Sequence, residues 1–288
     1  MTPFEIVEAR SLREAVGMLD PEDASVRPIA GGTALMLMMK AGVFRPTRLV
    51  SLRLVPGCSD VHVEADGSVR IGALTPLATL EHSHAIQHLL PVIGSTLRML
   101  SNVRVRNVAT VGGSLAHGDP HMDLPPVLIA LGASVRVVGR GGERVIPVAD
   151  LLTGYFDTQL ATDELISELI IPRQNGRRST YLKCTTRARH DWPTLGVAVS
   201  LAVDGDCVRE ATVVVSAATE RPMRIETLRT LLVGQRPDAK LLRTAGEAAA
   251  AALAGELQGA ATYMQQLVRV YVERGLRQAL NSEGGALQ

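Results

Sequence analysis

The chain of 288 residues carries 30 Lys and Arg against 29 Asp and Glu, and 46% of its residues are hydrophobic. This length predicts roughly two domains, and the ordinary hydrophobic fraction excludes a wholly disordered chain. The net charge of +1 and the small number of aromatic residues (one Trp, four Tyr and three Phe) argue against a nucleic-acid-binding protein.

The N-terminal residues lack a basic segment followed by an apolar one, so we expect no secretory signal. No run of apolar residues reaches the length of about 18 needed to cross a bilayer. Cys58, Cys184 and Cys207 have no CxxC spacing, which excludes a local iron–sulfur or zinc motif. The three unpaired cysteines predict a cytoplasmic protein.

The first half of the chain mixes helices and strands. In chain order the patterns predict a helix at 11–19, a strand at 25–30, a helix at 33–41 and a strand at 48–52. A hairpin at 61–65 and 68–72 follows, then helices at 76–84, 86–99 and 123–131, a hairpin at 133–138 and 143–147, and a strand at 164–171.

Beyond a polar linker at 174–178, strands come first and helices afterwards. We predict strands at 179–185, 194–203 and 207–217, helices at 225–233, 239–254 and 260–280, and a loose tail at 283–288. This order is typical of a segregated α+β domain. We therefore place a domain boundary near residue 175.

Two segments contain paired glycines, Ala30-Gly-Gly-Thr-Ala-Leu35 and Thr110-Val-Gly-Gly-Ser-Leu115. Paired glycines let a ligand approach the main chain, and their N–H groups can form a nest for anionic oxygens. A helix beginning at Thr33 would add a favourable dipole. The alternative is that both segments are tight connections, with Thr33 as a helix N-cap. Neither segment matches a nicotinamide or nucleoside triphosphate motif.

The ordered set of motifs is more specific than either segment. It comprises Ala30-Gly-Gly-Thr33 with Met38-Met-Lys40, Arg106-Asn-Val-Ala-Thr-Val-Gly-Gly113, Ala116-His-Gly-Asp-Pro120, Asp123-Leu-Pro-Pro126, Asp163-Glu-Leu-Ile166, Lys183, Asp191-Trp192 and Ala217-Ala-Thr-Glu-Arg-Pro222. Over essentially the whole chain this set resembles the FAD-binding subunit of molybdenum hydroxylases. That family includes the medium subunit of aerobic carbon monoxide dehydrogenase and the flavin domain of xanthine dehydrogenase.

The resemblance implies an α+β fold with a two-part FAD-binding domain of the p-cresol methylhydroxylase type and a smaller C-terminal α+β domain. We expect the FAD-binding domain to cover 1–175, with subdomains at about 1–55 and 56–175, and the C-terminal domain to cover 176–288. By similarity, the residues expected to bind FAD are Ala30, Gly31, Gly32, Thr33, Ala34, Leu35, Ala109, Thr110, Val111, Gly112, Gly113, Ser114, Asp123, Leu165, Ile166 and Lys183.

Three of these expectations have structural alternatives. Asp123 would bind the ribose or another polar part of FAD, or would be a helix N-cap. Leu165 and Ile166 would form an aliphatic wall near the adenine or flavin ring, or would belong to a buried strand. Lys183 would stabilise an anionic reduced flavin, or would be a surface lysine on an edge strand.

The resemblance also implies an oxidoreductase subunit that has FAD as its own cofactor and no metal. The expected partners are a large molybdopterin subunit and a small subunit with two [2Fe–2S] clusters, assembled as a dimer of heterotrimers. Electrons would pass through FAD to an external acceptor during hydroxylation of an N-heterocycle, a purine or a similar molecule. The alternatives are a self-sufficient FAD oxidoreductase of the same fold superfamily and a flavin-less adaptor protein.

Other polar clusters suggest further hypotheses. Glu81-His-Ser-His84 with His88 resembles a metal site only if one helix continues through both later histidines. His117 and His121 could form a proton relay or a hydrogen-bonded structural pair. Arg98, Arg104 and Arg106 would face an acidic partner or solvent.

Overall fold

The computed structural model describes residues 2–188 and 190–282, so the predicted tail at 283–288 lies outside the described residues. The strands form three larger sheets and one two-stranded ribbon, and helices lie between and after them. The predicted α+β class is therefore confirmed. Within 2–188 and 190–282, no helix combines the length and the apolar character that crossing a bilayer requires.

The first sheet is parallel, with strand order β1-β3-β2. Its elements are β1 (Glu5–Glu8), α1 (Leu12–Met18), β2 (Val26–Ile29), α2 (Thr33–Lys40) and β3 (Arg48–Ser51). The sequence prediction missed β1, because this short strand is mostly exposed and has no apolar alternation. Pairing with β3 defines the strand, and a Glu5–Arg48 ion pair of 2.7 Å crosses between the two.

The second sheet is antiparallel, with strand order β4-β5-β10-β6-β7. Its strands are β4 (Val61–Val63), β5 (Val69–Gly72), β6 (Ser134–Gly139), β7 (Gly142–Pro147) and β10 (Leu165–Ile171). Between them lie α3 (Leu77–His82), α4 (His84–Leu89), α5 (Pro91–Met99), α6 (Val103–Arg106), α7 (Val111–Ala116), α8 (Leu124–Ala130), α9 (Val148–Leu151) and the ribbon of β8 (Leu152–Gly154) and β9 (Asp157–Thr158).

The third sheet is also antiparallel, with strand order β11-β12-β13-β14. Its strands are β11 (Arg178–Cys184), β12 (Leu195–Asp204), β13 (Cys207–Ser216) and β14 (Met223–Arg224), followed by α10 (Glu226–Leu232), α11 (Ala239–Ala252) and α12 (Ala261–Asn281). Val197 and Val199 of β12 pack into the core formed with these three helices. Ala198 faces the opposite way, into the core that contains α8.

Helix α8 therefore joins the second and third sheets. All its residues are buried, and it contacts both β12 and β13. Its apolar side chains share one core with Val69 and Ile71 of the second sheet and with Val214 of β13. Because α8 is hydrophobic all round, it can be buried on both sides.

Two predicted features near α8 differ in the structure. The predicted helices at 76–84 and 86–99 are three shorter helices, because Ser83 caps the start of α4 and Pro91 begins α5. The second Gly-Gly segment, for which we expect a nest or a tight connection, is helical, and Gly112 and Gly113 lie inside α7.

The contact between α11 and α12 requires a glycine. A Cβ atom on Gly246 would lie 2.4 Å from the carbonyl oxygen of Arg269, a main-chain atom of α12. We expect Gly246→Ala to lower the free energy of unfolding by about 1–3 kcal/mol, because the two helices must separate.

Urea denaturation of the purified chain measures this change, and Gly17→Ala is the matched control. Gly17 is an exposed helical glycine with open space around its Cβ position. Its replacement should raise stability by about 0.5–1 kcal/mol through helix propensity. A Gly246→Ala chain as stable as the Gly17→Ala chain would contradict the close packing.

Candidate functional site

The first Gly-Gly segment turns sharply from β2 into α2. Gly32 has a φ angle of +67°, in the left-handed region that favours glycine, and it occupies the N-cap position. The alternative in which Thr33 is the N-cap is wrong, because Thr33 is the first residue of the helix. With glycine as the N-cap, the capping residue has no side chain to accept a hydrogen bond from the N-terminal N–H groups of α2.

This turn leaves a row of backbone donors free. Among the described residues, none of the N–H groups of Gly31 to Leu35 donates to a main-chain acceptor. The next N–H group, of Met36, donates to the carbonyl oxygen of Gly32 at 2.9 Å. The residues of the row are partly exposed. Free N–H groups at the positive end of a helix dipole are suited to anionic oxygens.

The second Gly-Gly segment cannot offer such a nest, so the expectation of two similar nests is wrong. Its N–H groups already have partners within the protein: Val111 donates to Thr75 O (3.1 Å), Gly112 to Ala73 O (2.8 Å), Gly113 to Thr110 Oγ1 (3.1 Å) and Ser114 to Thr110 O (2.9 Å). The surface that α7 presents to solvent here consists of Gly113 and Ala116, which are both exposed. That surface offers close approach without hydrogen-bond donors.

The fold brings the two segments together. A Cβ atom on Gly31 would lie 2.0 Å from the carbonyl oxygen of Val108 and 3.0 Å from the Cα atom of Ala109. The turn into α2 therefore packs directly on the main chain that leads into α7. Val108 is also half exposed, at 50%, so the free N–H row and the second segment form one continuous surface.

A buried ion pair fixes the main chain before Val108. Arg106 donates from Nε to Oε2 of Glu81 at 2.7 Å, and the two side chains are only 11% and 10% exposed. The same guanidinium donates to the carbonyl oxygens of Leu100 (2.9 Å) and Ser101 (3.2 Å). Arg106 thus holds together α3, the turn after α5 and the start of the second segment.

This arrangement corrects the expected arginine cluster. Arg98 and Arg104 were expected to face a partner or solvent together with Arg106, but Arg106 is buried. Ser101, which receives one of its hydrogen bonds, has a φ angle of +48°. A non-glycine residue in this region is strained, and the guanidinium helps to hold the turn in that conformation.

A second buried polar cluster joins α8 to β11. Lys183 donates from Nζ to Asp123 Oδ2 at 2.8 Å and to the carbonyl oxygen of Met99 at 3.2 Å. Tyr181 donates from its hydroxyl to Asp123 Oδ1, also at 2.8 Å. The side chains of Lys183 and Asp123 are 3% and 5% exposed. The alternative of a surface lysine is therefore wrong, although β11 is an edge strand.

The electrostatics of this cluster follow from burial. Burial raises the pKa of Asp123, while the charge of Lys183 and the two hydrogen bonds oppose the increase. Burial and the Asp123 carboxylate raise the pKa of Tyr181 well above its usual value. Asp123 stands at the N-cap position of α8 but makes no side-chain capping hydrogen bond, so its carboxylate binds β11 instead.

The remaining predicted site residues lie on β10. Leu165 is 3% exposed and packs into the core around the first sheet, while Ile166 is 7% exposed and packs into the core of the second sheet. The buried-strand alternative therefore describes both residues. Their contact with a bound ring remains a prediction.

The histidines weighed as metal ligands lie on two neighbouring short helices, His82 on α3 and His84 and His88 on α4. His84 and His88 lie on one helix, with ring centroids 6.3 Å apart. Across the part of the chain that the structure describes, no three His, Cys, Asp or Glu side chains are grouped so as to hold a metal ion. Cys58, Cys184 and Cys207 are all free thiols.

Sequence reasoning missed two residues of these clusters. Tyr181 had a usable signal, because it lies two positions before Lys183 and so on the same face of β11. Glu81 has none, since it is 25 residues from Arg106 and its neighbours in sequence are His82 and His84.

The Glu81–Arg106 pair should be costly to break. We expect Glu81→Gln to lower the free energy of unfolding by about 3 kcal/mol, because it leaves a buried guanidinium without its carboxylate. Glu273→Gln removes the same group from a helical pair whose arginine, Arg277, is 55% exposed, and should cost less than about 0.5 kcal/mol. Equal urea midpoints for the two variants would contradict the structural role of Arg106.

Two family models together match nearly the whole chain. Residues 2–174 match the FAD binding domain in molybdopterin dehydrogenase, and residues 180–279 match the CO dehydrogenase flavoprotein C-terminal domain. Each match includes elements of the clusters described above: the two Gly-Gly segments lie in the first, and Lys183 in the second.

Individual proteins agree with this assignment over their full lengths. The chain is 32% identical to the 6-hydroxypseudooxynicotine dehydrogenase complex subunit alpha of Paenarthrobacter nicotinovorans, over 96% of this chain and 95% of that protein. It is 31% identical to the nicotine 6-hydroxylase medium subunit of the same organism, over 93% and 94% of the two chains.

A solved structure of carbon monoxide dehydrogenase from Hydrogenophaga pseudoflava superposes with a TM-score of 0.91 and 29% identity, over 97% of this chain and 99% of that chain. The fold, the family models and the full-length relatives therefore agree. This chain belongs to the FAD-binding medium subunits of the molybdenum hydroxylases, which are oxidoreductases.

Proposed function

We propose that this chain is the FAD-carrying electron-transfer subunit of a heterotrimeric molybdenum hydroxylase in the cytoplasm. Its partners would be a large molybdopterin subunit and a small subunit with two [2Fe–2S] clusters, assembled as a dimer of heterotrimers. When bound, FAD supplies the redox chemistry, accepting electrons from the iron–sulfur clusters and giving them to an external acceptor. The chain's own residues bind and orient the cofactor.

The single observation that carries the proposal is the row of free N–H groups from Gly31 to Leu35. The diphosphate of FAD is a doubly charged anion with several acceptor oxygens, and the row offers donors at the positive end of α2. The left-handed Gly32 exposes these donors without a side chain in the way. The residues present therefore fit the cofactor that the family model names.

The second segment would contact a part of FAD that lies close to the main chain and requires no hydrogen-bond donors from the protein. Gly113 and Ala116 are exposed beside Val108, so a flat group can lie against this surface. Ala30 and the residues from Ala109 to Ser114 belong to the proposed site. Asp123 and Lys183 bind each other, so they would hold α8 and β11 in place beside the proposed site. Leu165 and Ile166 would support the site from the protein core.

The domain junction near residue 175 remains a prediction.

The names of the relatives support a proposal for the substrate class. Two proteins that this chain resembles over their full lengths are named for nicotine and a nicotine derivative. Another similar structure is a carbon monoxide dehydrogenase. We favour an N-heterocyclic compound, which would be hydroxylated in the large subunit.

The direct test of this function is isolation of the chain through an affinity tag from cells that express its neighbouring genes. We expect one FAD per chain and two co-purifying subunits that contain molybdopterin and iron–sulfur clusters. A nicotine-type heterocycle should bleach the visible flavin absorption, whereas carbon monoxide should not.

Other outcomes would point to the alternatives. A yellow chain without partners that oxidises a compound by itself would indicate a self-sufficient flavoenzyme. A colourless chain that takes up no added FAD would indicate an adaptor and would contradict the proposal.

The contact between Gly31 and Val108 gives a sharper prediction for binding. In Gly31→Ala the added methyl group collides with a main-chain oxygen, so the free N–H row must move away from the second segment. We expect the Kd for FAD to increase by about tenfold or more, as measured by quenching of flavin fluorescence.

Gly141→Ala is the matched control, because a Cβ atom at Gly141 meets no atom within 4 Å. It should bind FAD like the unmodified chain. Circular dichroism of both variants separates a binding effect from unfolding. Unchanged FAD affinity in a folded Gly31→Ala chain would show that the segment does not hold the diphosphate.

A further inference from the structure

A group of rings lies together on the surface beside the second segment. We call the side chains of His121, Tyr155, Phe156 and Trp192 the aromatic platform. The rings of Tyr155 and Phe156 are perpendicular, with centroids 4.7 Å apart, and the imidazole of His121 lies 6.4 Å from Tyr155. His121 and Trp192 are nearly parallel, with an interplanar angle of 20° and centroids 5.9 Å apart.

The platform is exposed although the chain has few aromatic residues. Trp192 is 67% exposed, Tyr155 is 55% exposed and Phe156 is 39% exposed, and Trp192 is the one tryptophan of the sequence. Solvent-facing apolar groups that cluster in this way usually mark a binding surface, and Trp and Tyr are the side chains that contribute most at such surfaces.

The backbone beneath the platform is held from two sides. Phe156 has a φ angle of +55° and donates its N–H to the carbonyl oxygen of Gly118 at 3.0 Å. Ala217, at the end of β13, has a φ angle of +65° and donates to the carbonyl oxygen of Pro120 at 3.2 Å. Strained residues of this kind persist where the surrounding structure fixes them. These two hydrogen bonds fix the main chain at Phe156 and in the loop that carries His121.

A buried carboxylate orients the imidazole of the platform. Asp119 is 3% exposed, and its Oδ1 atom lies 2.9 Å from the backbone nitrogen and 3.0 Å from Nδ1 of His121. An ionised carboxylate can only accept hydrogen bonds, so Nδ1 carries a hydrogen and Nε2 is left for a ligand. Nε2 can accept from a hydroxyl group when the ring is neutral, and can donate to a carbonyl group when the ring is protonated.

We infer that the aromatic platform binds a planar, electron-poor ring of the quinone class. Electron-rich Trp and Tyr rings suit stacking with such a ring. A quinone presents carbonyl oxygens and its reduced form presents hydroxyl groups, and Nε2 of His121 matches both. The buried carboxylate of Asp119 touches the imidazole of the platform and disfavours a phosphate at that point.

The inference rests on the proposed function, because it names the chemical class of the external electron acceptor. The ring of His117 lies 5.0 Å from the ring of Phe156, and His117 directly follows α7, a helix of six residues about 9 Å long. The platform is thus adjacent to the surface of Gly113 and Ala116, where FAD is proposed to lie.

Fluorescence of Trp192 tests the inference directly, because no other tryptophan contributes to the signal. Menadione is titrated into the full-length, FAD-loaded chain, and the emission is followed. We expect saturable quenching with a defined Kd, weakened by about fivefold or more in Tyr155→Ala and in His121→Ala. Linear, non-saturating quenching, or the same Kd in all chains, would overturn the inference.

Tyr263→Ala is the matched control, since Tyr263 is an equally exposed tyrosine (57%) on α12 and should leave the Kd unchanged. FAD content is measured in each preparation. Loss of FAD from Tyr155→Ala would overturn the inference by assigning the platform to the flavin itself. Absence of FAD from the unmodified chain would instead overturn the proposed function, and the menadione titration would then report on binding alone.

Discussion

The contact between Gly31 and the carbonyl oxygen of Val108 is the constraint on which the site depends. At 2.0 Å from that oxygen there is no room for a Cβ atom, so two chain segments that are distant in sequence meet main chain to main chain. The N–H groups of Gly31 to Leu35 remain free as a result of the turn at Gly32, since that residue offers no side chain to cap α2. These two facts produce a surface that has free N–H donors at Gly31 to Leu35 on one side and the exposed Gly113 on the other.

The rest of the fold keeps this contact in place. The Glu81–Arg106 pair fixes the main chain that leads to Val108, and the Asp123–Lys183 pair ties α8 to β11. These buried ion pairs are costly to break and therefore hold one geometry. Helix α8 is buried on all sides and packs between the third sheet and the helices that accompany the second sheet. The site is thus supported from three sheets, although its donors come from one short turn.

The sequence was informative where local chemistry decides the structure. Apolar periodicity and turn residues predicted most strands and helices, and the ordered motifs predicted the family. The sequence did not predict the tertiary contacts. The strand β1 exists only through pairing with β3, and the burial of Arg106 depends on Glu81, which has no local signal. The two Gly-Gly segments have similar sequences. In the second segment, however, the carbonyl oxygens of Ala73 and Thr75 accept hydrogen bonds from the N–H groups.

Amide hydrogen exchange with and without FAD tests the central claim most directly, because it reads the individual N–H groups. FAD should slow exchange at Gly31 to Leu35, whose N–H groups are free of main-chain partners without it. Exchange at Val111 to Ser114 should change little, because those groups are already hydrogen-bonded within the protein. Unchanged exchange at Gly31 to Leu35 in a chain that has bound FAD would contradict the account.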